Sequence, residues 1–167
     1  MVGSYAESRC KKLVTAKDNF TKFLMIAGIV VPIILIPVTG YGILGLLSLL
    51  MVAVTAIFWK RLSIEYEYVF CDGQVDFDRI AGGESRKTLY RADFDQLVVI
   101  APAKSHALDG YRHNGVEVRD YSSLDPNHKI FGMVVTSGEK STLIYFEPDE
   151  NMLAAMKQKA PRKISEV

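Results

Sequence analysis

"IPVTGYGIL", residues 36–44, lies in the middle of a 37-residue stretch, 23–59, that carries no charged side chain. Whether the chain passes straight through here or turns round decides the architecture. As one continuous α-helix the stretch would measure roughly 55 Å at 1.5 Å per residue. The hydrocarbon slab of a bilayer is only about 30 Å thick, so a single crossing would leave apolar residues in water or demand an extreme tilt. A buried helix pair of a soluble domain is disfavoured, because neither half has the polar face such helices carry. Pro37 lacks an amide proton and disfavours helical geometry at Ile36, while Gly40 and Gly42 accept positive φ. The stretch therefore reads as a transmembrane helical hairpin, with its turn near 37–40 and legs of 23–36 and 41–59. The second leg can cross the hydrocarbon. The first is short, kinked at Pro32, and relies on tilt, local thinning or its upstream residues. Reflection about Gly40 sets Ala27 opposite Ala53 and Gly28 beside Val52, small residues that permit close packing.

Charge gives the hairpin a direction. Residues 1–61 hold seven Lys and Arg against Glu7 and Asp18, a net of +5, whereas 62–167 hold 13 basic and 17 acidic side chains, a net of −4. The cations bracket the apolar stretch, and the turn has none. That asymmetry predicts a two-span protein of the cell membrane with both termini cytoplasmic. A cleaved signal peptide is the rival, but its apolar region should be about 7–15 residues. Residues 1–22 form a basic leader in which Ser4 and Glu7 have capping-box spacing, and Leu13, Ala16 and Phe20 recur among lysines. It reads equally as a short helix on an anionic leaflet or as a disordered segment. A mildly acidic polar region argues against nucleic acid, which needs clustered cations on the folded domain. Two cysteines, Cys10 and Cys71, make no disulfide framework.

After Lys60 and Arg61 the texture changes to alternation of apolar and polar residues with regular turn signals. Strands are expected at 63–70, 74–80, 86–91, 95–101, 115–121, 130–136 and 141–146, the first pair joined by Asp72-Gly73, a strong hairpin signal. Pro148 then suits the first position of a helix with Asp149 and Glu150 in its first turn, an apolar stripe of Met152, Leu153 and Met156, and Pro161 as its stop. Seven antiparallel strands followed by one helix is the element order of a pleckstrin-homology-like barrel, here spanning 62–160 with a tail at 161–167. A generic β-sandwich with an appended helix is the alternative.

The segments "EYEYVFCDGQVDFDRI" (65–80), "APAKSHALDGY" (101–111), "DYSS" (120–123) and "FEPDENMLAAMKQKAPRK" (146–163) resemble a family of small membrane proteins of Gram-positive, clostridial-type bacteria. In that family a two-span hydrophobic hairpin precedes a soluble domain of unknown function. The resemblance implies no activity, cofactor or catalytic residue.

Three groups of residues invite a chemical reading. Glu65, Glu67, Asp76 and Asp78 share the first hairpin, where Glu67 lies opposite Asp78. Metal binding competes there with a solvated face on which Lys87 and Arg91 answer the acids, and the second suffices. Ser105, His106 and Asp109, with His113 nearby, hint at a hydrolase, yet no nucleophile elbow is present. His106, His113 and His128 lack zinc-ligand spacing. No phosphate-binding glycine motif occurs, so no cofactor is expected. The first hairpin loop, 71–74, has an acid and no base, which excludes phosphoinositides. Ser105, His106, Asp109, Tyr111 and Tyr121 remain as an expected partner surface. The leading expectation is a membrane-tethered, non-enzymatic module that binds a protein or peptide at an edge strand or at the 101–115 loop. A metal-dependent sensor or enzyme, and a structural subunit of a membrane complex, are the alternatives.

Overall fold

The computed structural model describes residues 5–112 and 115–165. It divides into two compact units, one formed by residues on both sides of the apolar stretch and the other by 14–64 with 81–84.

The apolar unit begins at Thr15, which caps helix α1, Ala16–Thr39. The Asp18 amide donates to Thr15 Oγ1 at 3.4 Å and the Thr15 amide donates to the Asp18 carboxylate at 2.9 Å. This reciprocal box starts the helix, so Ala16 and Phe20 belong to α1, while Ser4 of the expected box lies outside the described residues. Pro32 and Pro37 both sit inside α1. The helix ends only at Gly40, whose φ of 70° is left-handed and whose amide donates to Ile36 O at 2.9 Å. A left-handed glycine ends a helix cleanly, whereas a proline removes one bond and lets it continue. The first leg is thus 24 residues long, not the short one, and it is long and apolar enough to cross a membrane. Helix α2, Ile43–Arg61, is apolar over Ile43–Trp59. The two helices pack together. A Cβ on Gly28 would come within 2.6 Å of Met51 Cε, and Ser48 Oγ donates to Leu44 O at 3.0 Å. Gly28 therefore meets Met51 rather than Val52.

The second unit opens with a strand where a basic leader was expected. Strand β1, Tyr5–Lys11, pairs antiparallel with β2, Ile64–Cys71, from Tyr5 opposite Cys71 to Lys11 opposite Glu65. Its inward residues, Ala6, Ser8 and Cys10, are small or polar, so the alternation carries little hydrophobic signal. β3, Gln74–Ala81, and β4, Ser85–Asp93, complete a sheet of order β1-β2-β3-β4. At the β2–β3 turn Asp72 and Gly73 both have positive φ, 49° and 98°, the conformation that Asp-Gly favours.

The other sheet has the order β5-β7-β8-β6, with β5 at Leu97–Pro102, β6 at Glu117–Asp120, β7 at Phe131–Ser137 and β8 at Lys140–Phe146. The β6 strand runs parallel to β8, correcting the expected all-antiparallel arrangement. Among the described residues eight strands in two sheets form no closed barrel. Arg119 of β6 reaches Leu89 O and the Tyr90 ring of β4 with its side chain, where a closed barrel would continue the backbone ladder. Between the sheets Tyr68, Phe77 and Phe146 meet edge to face at 5.5–5.7 Å. Helix α3, Glu150–Lys159, seals the core with Met152 and Met156. Its cap is Asp149, which accepts from the Met152 amide at 2.7 Å, so Pro148 precedes the helix instead of starting it. The tail expected at 161–167 returns to β5. The Ile100 amide donates to Lys163 O, the Ser165 amide donates to Ile100 O, and Ile164 is buried.

Candidate functional site

Of the five residues expected to face a partner, four sit on or at one short 3-10 helix, His106–Tyr111. Ser105 caps it, accepting from the Ala107 amide. Leu108 is its anchor, fully buried with Ala101, Val134 and Leu143. Gly132 makes room for that anchor, since a Cβ there would lie 2.5 Å from Leu108 Cδ1. Asp109 accepts from Arg112 Nη1 at 2.7 Å and contacts His106 Nδ1 at 2.9 Å, with the imidazole wholly exposed. Asp109 thereby ties Arg112 and the His106 imidazole together on the loop surface. Tyr111 lies partly buried against the Leu108 cluster. Tyr121 does not join them: it is buried, its ring 5.7 Å from Tyr66 and 5.4 Å from Phe77. A core aromatic cannot present a surface, so Tyr121 leaves the expected set. His113 lies outside the described residues.

The acidic strand face also differs from its expected form. Glu67 has no exposed surface and Asp78 is 3% exposed, so neither is solvated. Arg9, directly across from Glu67 in the β1–β2 register, meets Glu67 Oε1 at 2.5 Å, and Arg86 meets Oε2 at 2.5 Å and Asp78 at 2.6 Å. Arg91 holds Asp76 bidentately. The partner of Asp78 is Arg86, not Lys87, because the β3–β4 connection has three turn residues, 82–84, and one extra residue changes which side chain shares the face. Burial pushes the Glu67 carboxyl above the usual carboxylate range, against the opposing pull of Arg86 and Arg9. Among the described residues no group of three or more His, Cys, Asp or Glu is placed to hold a metal ion.

A groove of about 990 Å³ opens where the end of β5, the 126–131 segment and α3 come together. Three separate segments build it, which is why no local motif announces it. Ile130, Phe131, Leu153 and Ala154 line it along with Pro102, Pro126 and Pro148, and Lys104, Lys129 and Lys157 supply its cations beside the His128 imidazole. Leu153, expected in the buried stripe of α3, instead faces this groove half-buried. The groove's wall is clamped by Glu147, which is buried at the end of β8. Its Oε1 accepts from the Ser123 amide and hydroxyl, both at 2.7 Å, and its Oε2 lies 2.9 Å from His128 Nδ1. Hydrogen bonding to Glu147 raises the His128 pKa. Ser, His and Glu together suggest a hydrolytic triad, but the geometry is wrong. Ser123 Oγ and the carboxylate both approach Nδ1, the serine at 3.4 Å, and Ser123 donates to Glu147. A catalytic imidazole uses one nitrogen for the nucleophile and the other for the acid.

No curated protein and no solved structure matches the chain. A two-sheet, mostly β unit sealed by a C-terminal helix, with an apolar helix near its N-terminus, agrees with a family model that covers nearly all of it: across residues 3–166 the chain belongs to the bacterial PH-like domain family DUF6106.

Proposed function

We propose that the chain is a membrane-tethered, cytoplasm-facing interaction module without catalytic activity of its own. Its PH-like domain stands at the inner leaflet of a Gram-positive cell, held by a two-span hairpin made of α1 and α2. The observation that carries this reading is the β1–β2 pairing. These strands flank the apolar stretch in sequence and lie side by side in one sheet, which supports a chain that enters and leaves the membrane on the same side. A single span would put β1 and β2 on opposite sides of the bilayer and tear the sheet. Lysines 11, 12, 17 and 22 at the entry support the cytoplasmic side. Interaction is favoured over catalysis because the polar groups with catalytic potential are engaged structurally: His128 and Ser123 with Glu147, Asp109 with Arg112.

Thiol labelling of intact protoplasts tests the topology. Cys71 is exposed, and Tyr5→Cys places a second reporter on β1, 62% exposed in the parent residue. Both should resist a membrane-impermeant maleimide until the membrane is opened, whereas Thr39→Cys at the hairpin turn should label from outside. Different behaviour of Cys71 and Tyr5→Cys, or labelling of both in intact cells, would overturn the proposal.

A further inference from the structure

We propose that the groove between α3 and the 126–131 segment binds a short peptide that combines acidic with apolar side chains. The inference deepens the interaction-module reading and rests on it. Size comes first: about 990 Å³ is at the upper end of ligand clefts, roughly 300–1,000 Å³. Chemistry narrows the occupant. Ile130 and Leu153 offer apolar contact, and Lys104, Lys129, Lys157 and His128 stand around them. The polar region as a whole is net −4, so a cleft with three lysines is a local reversal of its charge. Two acids also line it. Asp149 is occupied in capping α3, which leaves Glu150 as the one acid in the lining without that duty. No ion pair joins Lys104 or Lys129 to an acid among the described residues.

The mode of recognition follows from β5. Its Ile100 amide and carbonyl are both taken by the chain's own 163–165 segment, at 2.7 and 2.8 Å. Strand addition there is closed, and the occupant is read by its side chains rather than by a backbone ladder. An acyl chain is a poorer match, because the cleft is open and edged by charge, whereas lipid tails need an enclosed apolar cavity.

The test is selection of random dodecapeptides displayed on phage against the full chain in detergent micelles. Enriched peptides should pair Asp or Glu with Leu, Phe or Tyr. A synthetic representative should lose about tenfold or more in affinity to the Lys104→Glu/Lys129→Glu variant and weaken with salt. Ala154→Trp, at an exposed groove position, should block it without unfolding the domain. Enrichment of basic or uncharged peptides overturns the proposal, as does competition by phosphatidylglycerol vesicles for the same lysines. Peptides indifferent to all three substitutions refute the groove and leave the interaction module standing. A selection that returns no peptide counts against both.

Discussion

At Glu67 a carboxylate with no exposed surface sits between the Arg9 and Arg86 guanidiniums. Burial raises its folded-state pKa above the ordinary 4.5, so the folded chain holds that proton more tightly than the unfolded chain does. Its contribution to stability is complete below the unfolded pKa and is lost as pH rises through the folded one. Glu67→Gln should therefore flatten the acid-side dependence of stability, measured by denaturant unfolding in micelles from pH 4 upward; an unchanged slope refutes this assignment. Arg86→Ala removes a partner from both Glu67 and Asp78. Since Arg86 is itself half exposed, solvent softens the loss to about 1–3 kcal/mol, below the cost of breaking a fully enclosed pair. Cys10 differs from Cys71 in the same way. Buried beside the Tyr68 hydroxyl, its thiol is pushed up to about 11. In folded protein at neutral pH a maleimide should modify Cys71 and spare Cys10 until denaturant is added, as peptide mass mapping would show. Alternation in the hairpin made legible that Glu67 and Asp78 share a face. It was silent on burial, because period two identifies a face and not what covers it, and the cover here is arginine from neighbouring strands.

The C-terminal helix shows how far periodicity reaches at the scale of an element. Met152, Leu153 and Met156 form one stripe in sequence, yet only the two methionines are fully buried. Met156→Ala should cost about 2–5 kcal/mol and Leu153→Ala clearly less, because a half-buried side chain leaves a smaller cavity. Equal losses in thermal unfolding would contradict the groove beside Leu153. The 3-10 helix carries a sharper contrast. Leu108 fills a pocket over Gly132, so Gly132→Ala forces a Cβ against Leu108 Cδ1 and should destabilise by about 1–3 kcal/mol. Leu108→Ala opens space above Gly132, and the double variant should recover part of the loss, a coupling that a double-mutant cycle measures. The 101–115 connection was visible as a loop from its turn residues. Its anchoring was not, since a glycine inside a strand announces a close approach without naming what approaches.

For the whole molecule the decisive feature is that the apolar helices α1 and α2 interrupt the sheet-forming domain between the paired strands β1 and β2. A fragment beginning at Leu62 lacks β1 and leaves the β2 edge unpaired, so it should aggregate. Replacing 14–63 by a short Gly-Ser linker should join β1 directly to β2 and give a soluble domain that unfolds cooperatively. A well-folded fragment from Leu62 onward would show that β1 is dispensable. Residue order alone determined that 23–59 is apolar and uncharged, that Asp72-Gly73 turns a hairpin, and that strands precede a final helix. Those are local matters of hydrophobic period, charge and backbone freedom, and they led to a PH-like expectation that the family match supports. Tertiary structure decided that β1 belongs to the sheet, that β6 runs parallel to β8, that Tyr121 is core, and that three distant segments come together to line a groove. Strand pairing joins residues such as Cys10 and Tyr66, 56 positions apart in the chain. The backbone bonds that select such partners are the same for every residue type, so the pairing leaves no local mark in the sequence.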